Sequence, residues 1–516
     1  MKVCILAAGI GSRMAGVAQT AHKALLPLNN KAIIGRIIEQ FPHQEEFVIA
    51  VGFQKDQIKD YLAITYPQKH FIFVEVDNFE GPGSGPGYSL FSCRDHLQEP
   101  FIFTACDTLI LSHLPDYQES WMGVKKVANI ENWCSVKVDS QSRVRNIFYK
   151  MNIDSDLAFV GIAFVKEYQA FWEGFDRNSS PLEGEVQVNN GLEALISYQL
   201  KAVSLEWEDT GNEENYLKLL TKQSSNHTFD GKITDITYHH DSRIIKFFGD
   251  QKISRLRFER ASAYKGVFAN TLQLQGCFYS YEYVQGNLLF DIINADECHK
   301  FLNWAERHLW KKLPVNANEF EKNSHFFYHE KTSDRLNSFV ERHVFDKQEK
   351  GCVINGVFCL TVKELLNQID GGFYKEGMAS TYHGDLHDNN VIVKDDSTYV
   401  LIDWRESFGF SSKIGDRYYD LAKFLHTLNF SVEAMKTRKY EFNETGDTIT
   451  IKHVSSIPCL QAINAFWDFV KKHHYDERRI RIIEAIVFIN MSPLYAKDLG
   501  TYLYYLGRYS LQKALN

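Results

Sequence analysis

The densest chemistry in the sequence is the run His383-Gly384-Asp385-Leu386-His387-Asp388-Asn389-Asn390, followed by Val391-Ile392-Val393 and then Leu401-Ile402-Asp403-Trp404. Asp385 and Asn390 share one loop, and Asp403 ends a second short apolar strand. That order can present Asp385 as a base to a hydroxyl while Asn390 and Asp403 hold Mg²⁺ against the phosphates of ATP. A second group stands near the start. The apolar run Val3–Ala8 leads into Gly9-Ile10-Gly11-Ser12-Arg13, where glycines let backbone N–H groups approach phosphate oxygens. Lys23 adds a cation within His22-Lys23-Ala24-Leu25-Leu26-Pro27-Leu28. Phe101–Ala105 runs to Asp107, and Trp207-Glu208 to Asp209. Both carboxylates therefore follow apolar strands, at the sheet edge where such folds bind ligands, and together they suit one Mg²⁺.

These residues need elements to position them. About the first 110 residues alternate apolar strands with amphipathic helices, the pattern of a mainly parallel sheet. Strands are expected at Val3–Ala8, Phe47–Val51, Phe71–Val76 and Phe101–Ala105, with helices at Ile33–Phe41 and Gln54–Tyr66. Beyond Asp107 the alternation weakens, although Ala158–Phe164 and Leu200–Trp207 can join the same sheet. The polar stretch Lys222–His227 marks a boundary between a domain at 1–222 and one at 228–516. A strand-rich stretch follows from Ile233 to about Tyr283, and helices dominate from Asp296 apart from a strand–loop–strand unit near Tyr382–Trp404. The fold class is α/β: an N-terminal Rossmann-like, mainly parallel sheet with flanking helices, plus a C-terminal bilobal kinase-like α+β domain.

Composition narrows the function classes. The 516 residues are 44% hydrophobic and 24% charged, which excludes a largely disordered or collagen-like chain. A net charge of −8 gives no whole-protein footprint for nucleic acid. The 9 cysteines are scattered, with no C-x-x-C pair, and read as reduced thiols of a cytoplasmic protein. No apolar run reaches the ~18 residues of a membrane span, so no membrane insertion is expected. The opening Met1–Gly9 is too short for a signal sequence and meets Arg13 directly, so it reads as a buried strand. Small-molecule substrates are the expected partners, with a homo-oligomer left open.

Leu6-Ala7-Ala8-Gly9-Ile10-Gly11-Ser12-Arg13 with Lys23 resembles the opening of the sugar-phosphate nucleotidyltransferase family, with His22 where the family has Pro. The resemblance covers roughly residues 1–220. It implies nucleotide contacts at Leu6, Ala8, Gly9, Gly11 and Ser12, charge stabilisation by Arg13 and Lys23, and metal carboxylates at Asp107 and Asp209. Asp209-Thr210-Gly211 with Tyr216 resembles the closing motif. Gly85, in Glu80–Ser89, falls where relatives read the base. The His-Gly-Asp loop, with Gly415–Ala422, resembles the aminoglycoside phosphotransferase and choline kinase superfamily over roughly 228–516. There Asp385 is the base, Asn390 and Asp403 hold metal, and an Asp within Gly415–Ala422 braces the loop. Lys246 is a plausible ATP-binding lysine with Glu259 as its partner, and Tyr281–Gly286, with Glu282 and Val284, resembles the adenine-reading hinge.

Together the halves imply a bifunctional enzyme of EC 2.7.7 and EC 2.7.1 type. One site phosphorylates a sugar or polyol with ATP. The other joins that phosphate to a nucleotidyl group from a second NTP (CTP, UTP or GTP), releasing pyrophosphate and forming an activated building block for surface polysaccharide. Mg²⁺ is the implied cofactor at both. Alternatives are a choline kinase with a phosphocholine cytidylyltransferase, for which Trp467, Tyr502, Tyr504 and Tyr505 offer an aromatic cage, and one active domain with a ligand-sensing or scaffolding partner. A protein kinase with an appended nucleotide-binding domain fits less well, because Arg405–Ile414 is a short activation segment.

Overall fold

Alternation along the first strand decides the layering of the N-terminal half. In the computed structural model, Val3, Ile5 and Ala7 enter one buried cluster with Ile33, Ile37, Ile58 and Leu62. Cys4, Leu6 and Ala8 enter another with Leu90, Phe171 and Leu192. A strand apolar on both faces belongs inside a parallel sheet covered by helices on each side, and that is its position. The structure describes residues 1–14, 16–17, 20–149, 157–177, 184–223, 235–343, 350–395 and 398–516. Most of the polar boundary at Lys222–His227, and Ile233, lie outside these.

The described residues fall into two compact units. The first takes those of Met1–Thr228, Lys232–Gln251 and Gln273–Ser280; the second takes those of Lys252–Leu272 and Tyr281–Asn516. In the first, a sheet runs in the order Val144–Tyr149, Cys134–Val138, Leu157–Val165, Phe101–Ala105, Lys2–Ala7, Glu46–Val51, His70–Glu75. Its last four strands are mutually parallel, with Val3 opposite both Phe47 and Ile102. Leu157–Val165 joins antiparallel to Phe101–Ala105. Helices Ile33–Glu39 and Lys55–Thr65 lie in the expected places.

Leu200–Trp207 proves to be two elements. Lys201–Ser204 pairs parallel with Trp121–Lys126 in the main sheet, while Trp207–Asp209 pairs antiparallel with Thr108–Ile110. The strand-rich stretch up to Tyr283 forms Asp235–His240, Arg243–Phe248, Thr271–Gln275 and Phe278–Glu282, with the helix Gln251–Ala263 inserted. Its first hairpin packs on the first unit: the Tyr238 ring lies 5.0 Å from Tyr61, and its hydroxyl donates to the Leu25 carbonyl.

The second unit is mainly helical. Helices Ala295–His308, Arg417–Asn429, Ile457–Lys472 and Glu477–Met491 start at Asn294, Asp416, Ser456 and Asp476, whose side chains accept from the first-turn N–H groups. Strands Val391–Val393 and Tyr399–Leu401 form the hairpin expected near Tyr382–Trp404, with Asn287–Leu288 along its edge. A second hairpin, Tyr440–Thr445 with Thr448–His453, pairs with Cys352–Ile354 and lies outside the sequence expectation. Among the described residues no helix is long and apolar enough to cross a membrane.

Candidate active sites

In the first unit, parallel pairing sets the site. Lys2–Ala7 and Phe101–Ala105 end side by side, and Cys106 N–H donates to the Leu6 carbonyl at 3.2 Å. The glycine loop and Asp107 therefore leave the same sheet edge. Lys23 Nζ lies 2.6 Å from Asp107 Oδ2, with the two side chains 16% and 17% exposed. Burial works against the lysine's charge and the aspartate's alike. Their mutual attraction outweighs it, raising the Lys23 pKa and lowering that of Asp107. Gly11 packs on the aliphatic stem of Lys23, where a Cβ would sit 3.2 Å from Cδ. Arg13 is exposed on the short turn Ser12–Met14.

Asp209 reaches the same point because Trp207–Asp209 pairs with the strand just after Asp107, and Thr210 N–H donates to the Asp107 carbonyl at 3.0 Å. Gly211 N–H, Asn212 and Asn215 hold its carboxylate at 2.8, 3.1 and 2.8 Å. A Cβ on Gly211 would meet Asp209 Oδ1 at 2.9 Å and Asp107 Oδ2 at 3.1 Å, so the two carboxylates converge over the bare glycine. Two hard oxygen donors facing one gap fit a Mg²⁺ that completes its shell with water and phosphate. Burial, with Asp107 adding to it, raises the Asp209 pKa. Tyr216, in the helix that follows, donates to the Pro27 carbonyl at 2.9 Å and so ties this corner to the Lys23 segment.

His22 is buried beside Lys23 and holds the turn that carries it. Its Nδ1 accepts from Ala24 N–H at 3.1 Å and caps the turn Lys23–Leu25. Burial, then Lys23, depresses its pKa to about 3, so the ring is neutral and able to accept. Leu6 and Ala8 are buried, and a Cβ on Gly9 would meet nothing within 4 Å, which leaves that backbone open to a ligand. Gly85 packs closely against another part of the chain. At φ +119° its missing Cβ makes room for the Val186 carbonyl, 2.7 Å away, and Gly87 N–H donates to the same oxygen at 2.8 Å. These two glycines serve packing of the chain on itself.

In the second unit, Asp420 braces the loop that carries Asp385. It accepts from His383 N–H and Gly384 N–H at 2.7 Å each, and from Trp310 Nε1 at 3.0 Å, all fully or nearly fully buried. His383 stays neutral, its pKa pushed to about 3 by burial. Its Nδ1 accepts from Asp385 N–H at 3.1 Å, which leaves Nε2–H to donate to the Ile402 carbonyl at 2.8 Å. This imidazole ties the Asp385 loop to the Asp403 turn. The hairpin register adds a second tie: Val391 pairs with Leu401, and Ile402 N–H donates to the Asn390 carbonyl at 3.0 Å. Asn390 Nδ2 donates to the Asp385 carbonyl at 3.0 Å, which points the amide's oxygen end elsewhere. Asp403 adopts φ +56°, a backbone state that costs a non-glycine residue energy. An amide oxygen and a carboxylate from adjoining ends of one hairpin are hard donors of the kind Mg²⁺ takes.

Asp385 itself is one-third exposed. Lys423 Nζ lies 2.8 Å from its Oδ1 and His387 Nε2 3.9 Å from its Oδ2. Burial raises its pKa, but Lys423, His387 and Arg405 prevail and hold it well below the usual carboxylate range. Lys423 lies one turn after Asp420 on the helix Arg417–Asn429. Neither it nor Arg405 is a residue the sequence reading singled out. The signal available was helical spacing, since Asp420 and Lys423 share a face.

The remaining expected residues have other partners. Lys246 belongs to the first unit, where Nζ donates to Thr237 Oγ1 at 2.8 Å. Glu259 belongs to the second; its side chain is 61% exposed and 4.0 Å from Arg255. The buried charged residue of that helix is the next one, Arg260, which donates to the Tyr382 and Arg405 carbonyls and lies 3.9 Å over the Tyr382 ring. Glu282 and Val284 lead into Gly286, where a Cβ would sit 2.5 Å from the Val393 carbonyl; the hinge-like segment thus runs against the strand that follows Asn390. Of the aromatic-cage candidates, Tyr502, Tyr504 and Tyr505 are core residues and Trp467 is half-buried. Tyr502 packs between Phe430 and Tyr440 at 5.2 and 4.8 Å, while Trp467 lies under Arg481 at 4.3 Å.

Residues 3–114 match the MobA-like NTP transferase domain, and residues 363–444 match the phosphotransferase enzyme family. The bifunctional protein GlmU of Methanococcus vannielii is 26% identical over 224 residues, 41% of this chain and 52% of that protein. The bifunctional IPC transferase and DIPP synthase of Archaeoglobus fulgidus is 34% identical over 108 residues, 21% of this chain and 20% of that protein. A solved UDP-glucose pyrophosphorylase complexed with UDP-glucose aligns at 19% identity over 43% of this chain and 97% of its own, with a TM-score of 0.38. The chain spans about half the length of the GlmU relatives it matches. It joins an N-terminal MobA-like NTP transferase domain to a C-terminal domain of the phosphotransferase enzyme family.

Proposed function

We propose that the chain is a bifunctional transferase that phosphorylates a small hydroxyl compound, a sugar or polyol, with ATP and then couples the product to a nucleotidyl group. The observation that supports it best is the pair of complete acid–cation groups in one chain: Lys23, Asp107 and Asp209 in one unit, Asp385, Asn390 and Lys423 in the other. A kinase makes the phosphate monoester that a nucleotidyltransferase consumes. We assign the first reaction to residues 228–516 and the second to 1–222.

In the kinase step the acceptor hydroxyl oxygen bonds to the γ-phosphorus as the β–γ bridging bond breaks and ADP leaves. Asp385, held ionised by Lys423, accepts the hydroxyl proton. Asn390 and Asp403 are placed to hold Mg²⁺, which supplies charge neutralisation on the phosphates when bound. In the second step a phosphate oxygen of the new monoester bonds to the α-phosphorus of an NTP, and pyrophosphate leaves. Lys23, charged through its pair with Asp107, and Arg13 offset negative charge on the triphosphate. Asp107 and Asp209 are the metal carboxylates.

The nucleotidylated product suits surface-polysaccharide assembly. All cysteines are free thiols, as in a reducing cytoplasm. The cytidylyl-alcohol alternative needs a site for a quaternary ammonium; of the aromatics expected to form one, Tyr502 packs in the core and Trp467 lies against Arg481, while the aromatics that line the cavity beside Asp385, Phe327, Tyr328, Tyr419 and Tyr495, share it with four basic side chains. Mass spectrometry of products from ATP, CTP, UTP, GTP and Mg²⁺ with free sugars and polyols tests the proposal. A new NDP-linked mass supports it. Absence of both ADP and pyrophosphate release with any acceptor refutes it.

A further inference from the structure

A cavity of about 220 Å³ opens beside Asp385. Its walls carry Lys331, Arg335, Arg405 and Lys423, and Asp385 is the single carboxylate among its lining residues. His387 and His426 line it as well, and burial depresses both imidazoles, His387 to about 4, so neither adds a charge near neutral pH. Lys423 is matched by Asp385. The other three cations have no carboxylate within ion-pair distance among the described residues: Lys331 Nζ lies 4.1 Å from the Phe327 ring centre, Arg405 lies 5.9 Å from the same ring, and Arg335 donates to the Asn490 carbonyl at 2.6 Å.

Asp385 and Glu406 favour the Arg405 charge, but four basic side chains against one lining carboxylate leave positive charge in excess in the empty site. Lys331 registers this directly. Burial first, then Arg405 and Arg335, pulls its pKa down to about 6, against a weaker opposing pull from Glu406 and Asp385, so its amine is largely neutral near pH 7 in the empty site and takes up a proton when an anion binds beside it. Burial and Arg405 lower the Arg335 pKa too. Such an arrangement is relieved by an anion. The nucleotide is an unsuitable source for it, because neither Asn390 nor Asp403 lines this cavity.

We propose that the acceptor phosphorylated at Asp385 is a small hydroxyl compound that itself carries a carboxylate or a phosphate-type group, held by Lys331, Arg335 and Arg405. This rests on the kinase reading above and adds the acceptor's charge to it. The hydroxyl faces Asp385 while the anionic group lies deeper among the three cations, which sets the two ends of the molecule and disfavours amino-alcohols by repulsion.

The test uses the full-length protein with matched acceptors: glycerate and glycerol 3-phosphate against glycerol, glucuronate against glucose, and choline as a cation. For at least one anionic compound, kcat/KM for ATP-dependent phosphorylation is expected to exceed that of its neutral partner at least about tenfold. Lys331→Met and Arg335→Gln should bring that ratio toward one through KM, and Lys331→Arg should retain it. Glycerate and glycerol 3-phosphate separate carboxylate from phosphate preference. Calorimetry without ATP gives an independent arm, in which the wild type should bind an anionic probe more tightly than its neutral partner and Lys331→Met should lose the difference. Equal or better use of neutral compounds or choline, or equal binding of both partners, overturns the proposal. Anion binding that depends on Lys331, with no acceptor phosphorylated, would sustain the anion site and remove the kinase reading instead.

Discussion

Lys23 Nζ and Asp107 Oδ2 meet at 2.6 Å across 84 residues of sequence. One comes from the loop after the first strand and the other from the turn after a neighbouring parallel strand, so the sheet itself brings them together. Asp209 arrives by a third route, through a two-stranded pairing that also secures the Asp107 carbonyl.

Asp107→Asn should lower nucleotidyl transfer by about 10²–10³-fold, because it removes a metal carboxylate and the partner of a largely buried lysine. Pyrophosphate release from an NTP with supplied sugar phosphates measures this. ADP formation at the other site should persist, and a parallel loss of both would count against separate centres.

Asp385→Asn should cut ATP-dependent phosphorylation by about 10²–10⁴-fold, since the amide cannot take the hydroxyl proton. Pyrophosphate release with a supplied phosphate monoester should be unaffected. Retention of phosphorylation within about threefold would exclude Asp385 as the base.

Asp420 acts by position. Asp420→Ala leaves the His383 N–H, Gly384 N–H and Trp310 Nε1–H without their acceptor. Each buried unsatisfied donor costs about 1–3 kcal/mol. Urea denaturation should show a loss of at least ~3 kcal/mol, and Asp420→Asn, which keeps one oxygen, should lose less. Equal stability of Asp420→Ala and wild type would contradict the bracing role.

Glu484 gives a pH signature. It is buried, accepts from Asn429 Nδ2, and burial pushes its pKa from 4.5 up to about 7 despite Asn429 and Arg481. Between those values the folded state keeps a proton that the unfolded state has released. Stability from this group is therefore complete below the unfolded pKa and declines as pH rises through about 7. Glu484→Gln lacks the titration. Wild type minus variant stability should fall by on the order of 1–3 kcal/mol between about pH 4.5 and pH 7.5. A pH-independent difference would refute the assignment.

Much of this was legible from sequence, for physical reasons. Short apolar runs such as Val3–Ala7, bounded by a glycine loop and alternating with amphipathic helices, read as doubly buried parallel strands, and residues at their ends fall on one sheet edge. Asp385, Asn390 and Asp403 were recognisable because one short hairpin carries all three. Lys246 and Glu259 were less so: a strand lysine and a helix glutamate look alike wherever they point, and the helix buries Arg260 instead. Gly85 carries a second constraint that sequence does not show, since a glycine that permits a close approach does not name the approaching atom, here the Val186 carbonyl. Lys331, Arg335 and Lys423 had no local motif. They converge on the cavity from two helices, a relationship that packing creates and spacing alone does not reveal.

The most direct test of the two-step account is complementation between single-site variants. Asp107→Asn and Asp385→Asn proteins are each incubated with ATP, CTP, UTP, GTP, Mg²⁺ and the acceptor pool, separately and mixed, and NDP-linked products are followed by mass spectrometry. The account predicts product from the wild type and from the mixture, and none from either variant alone. Product from Asp385→Asn alone with unphosphorylated acceptors, or none from the mixture when the wild type is active, would contradict two sequential, separable sites.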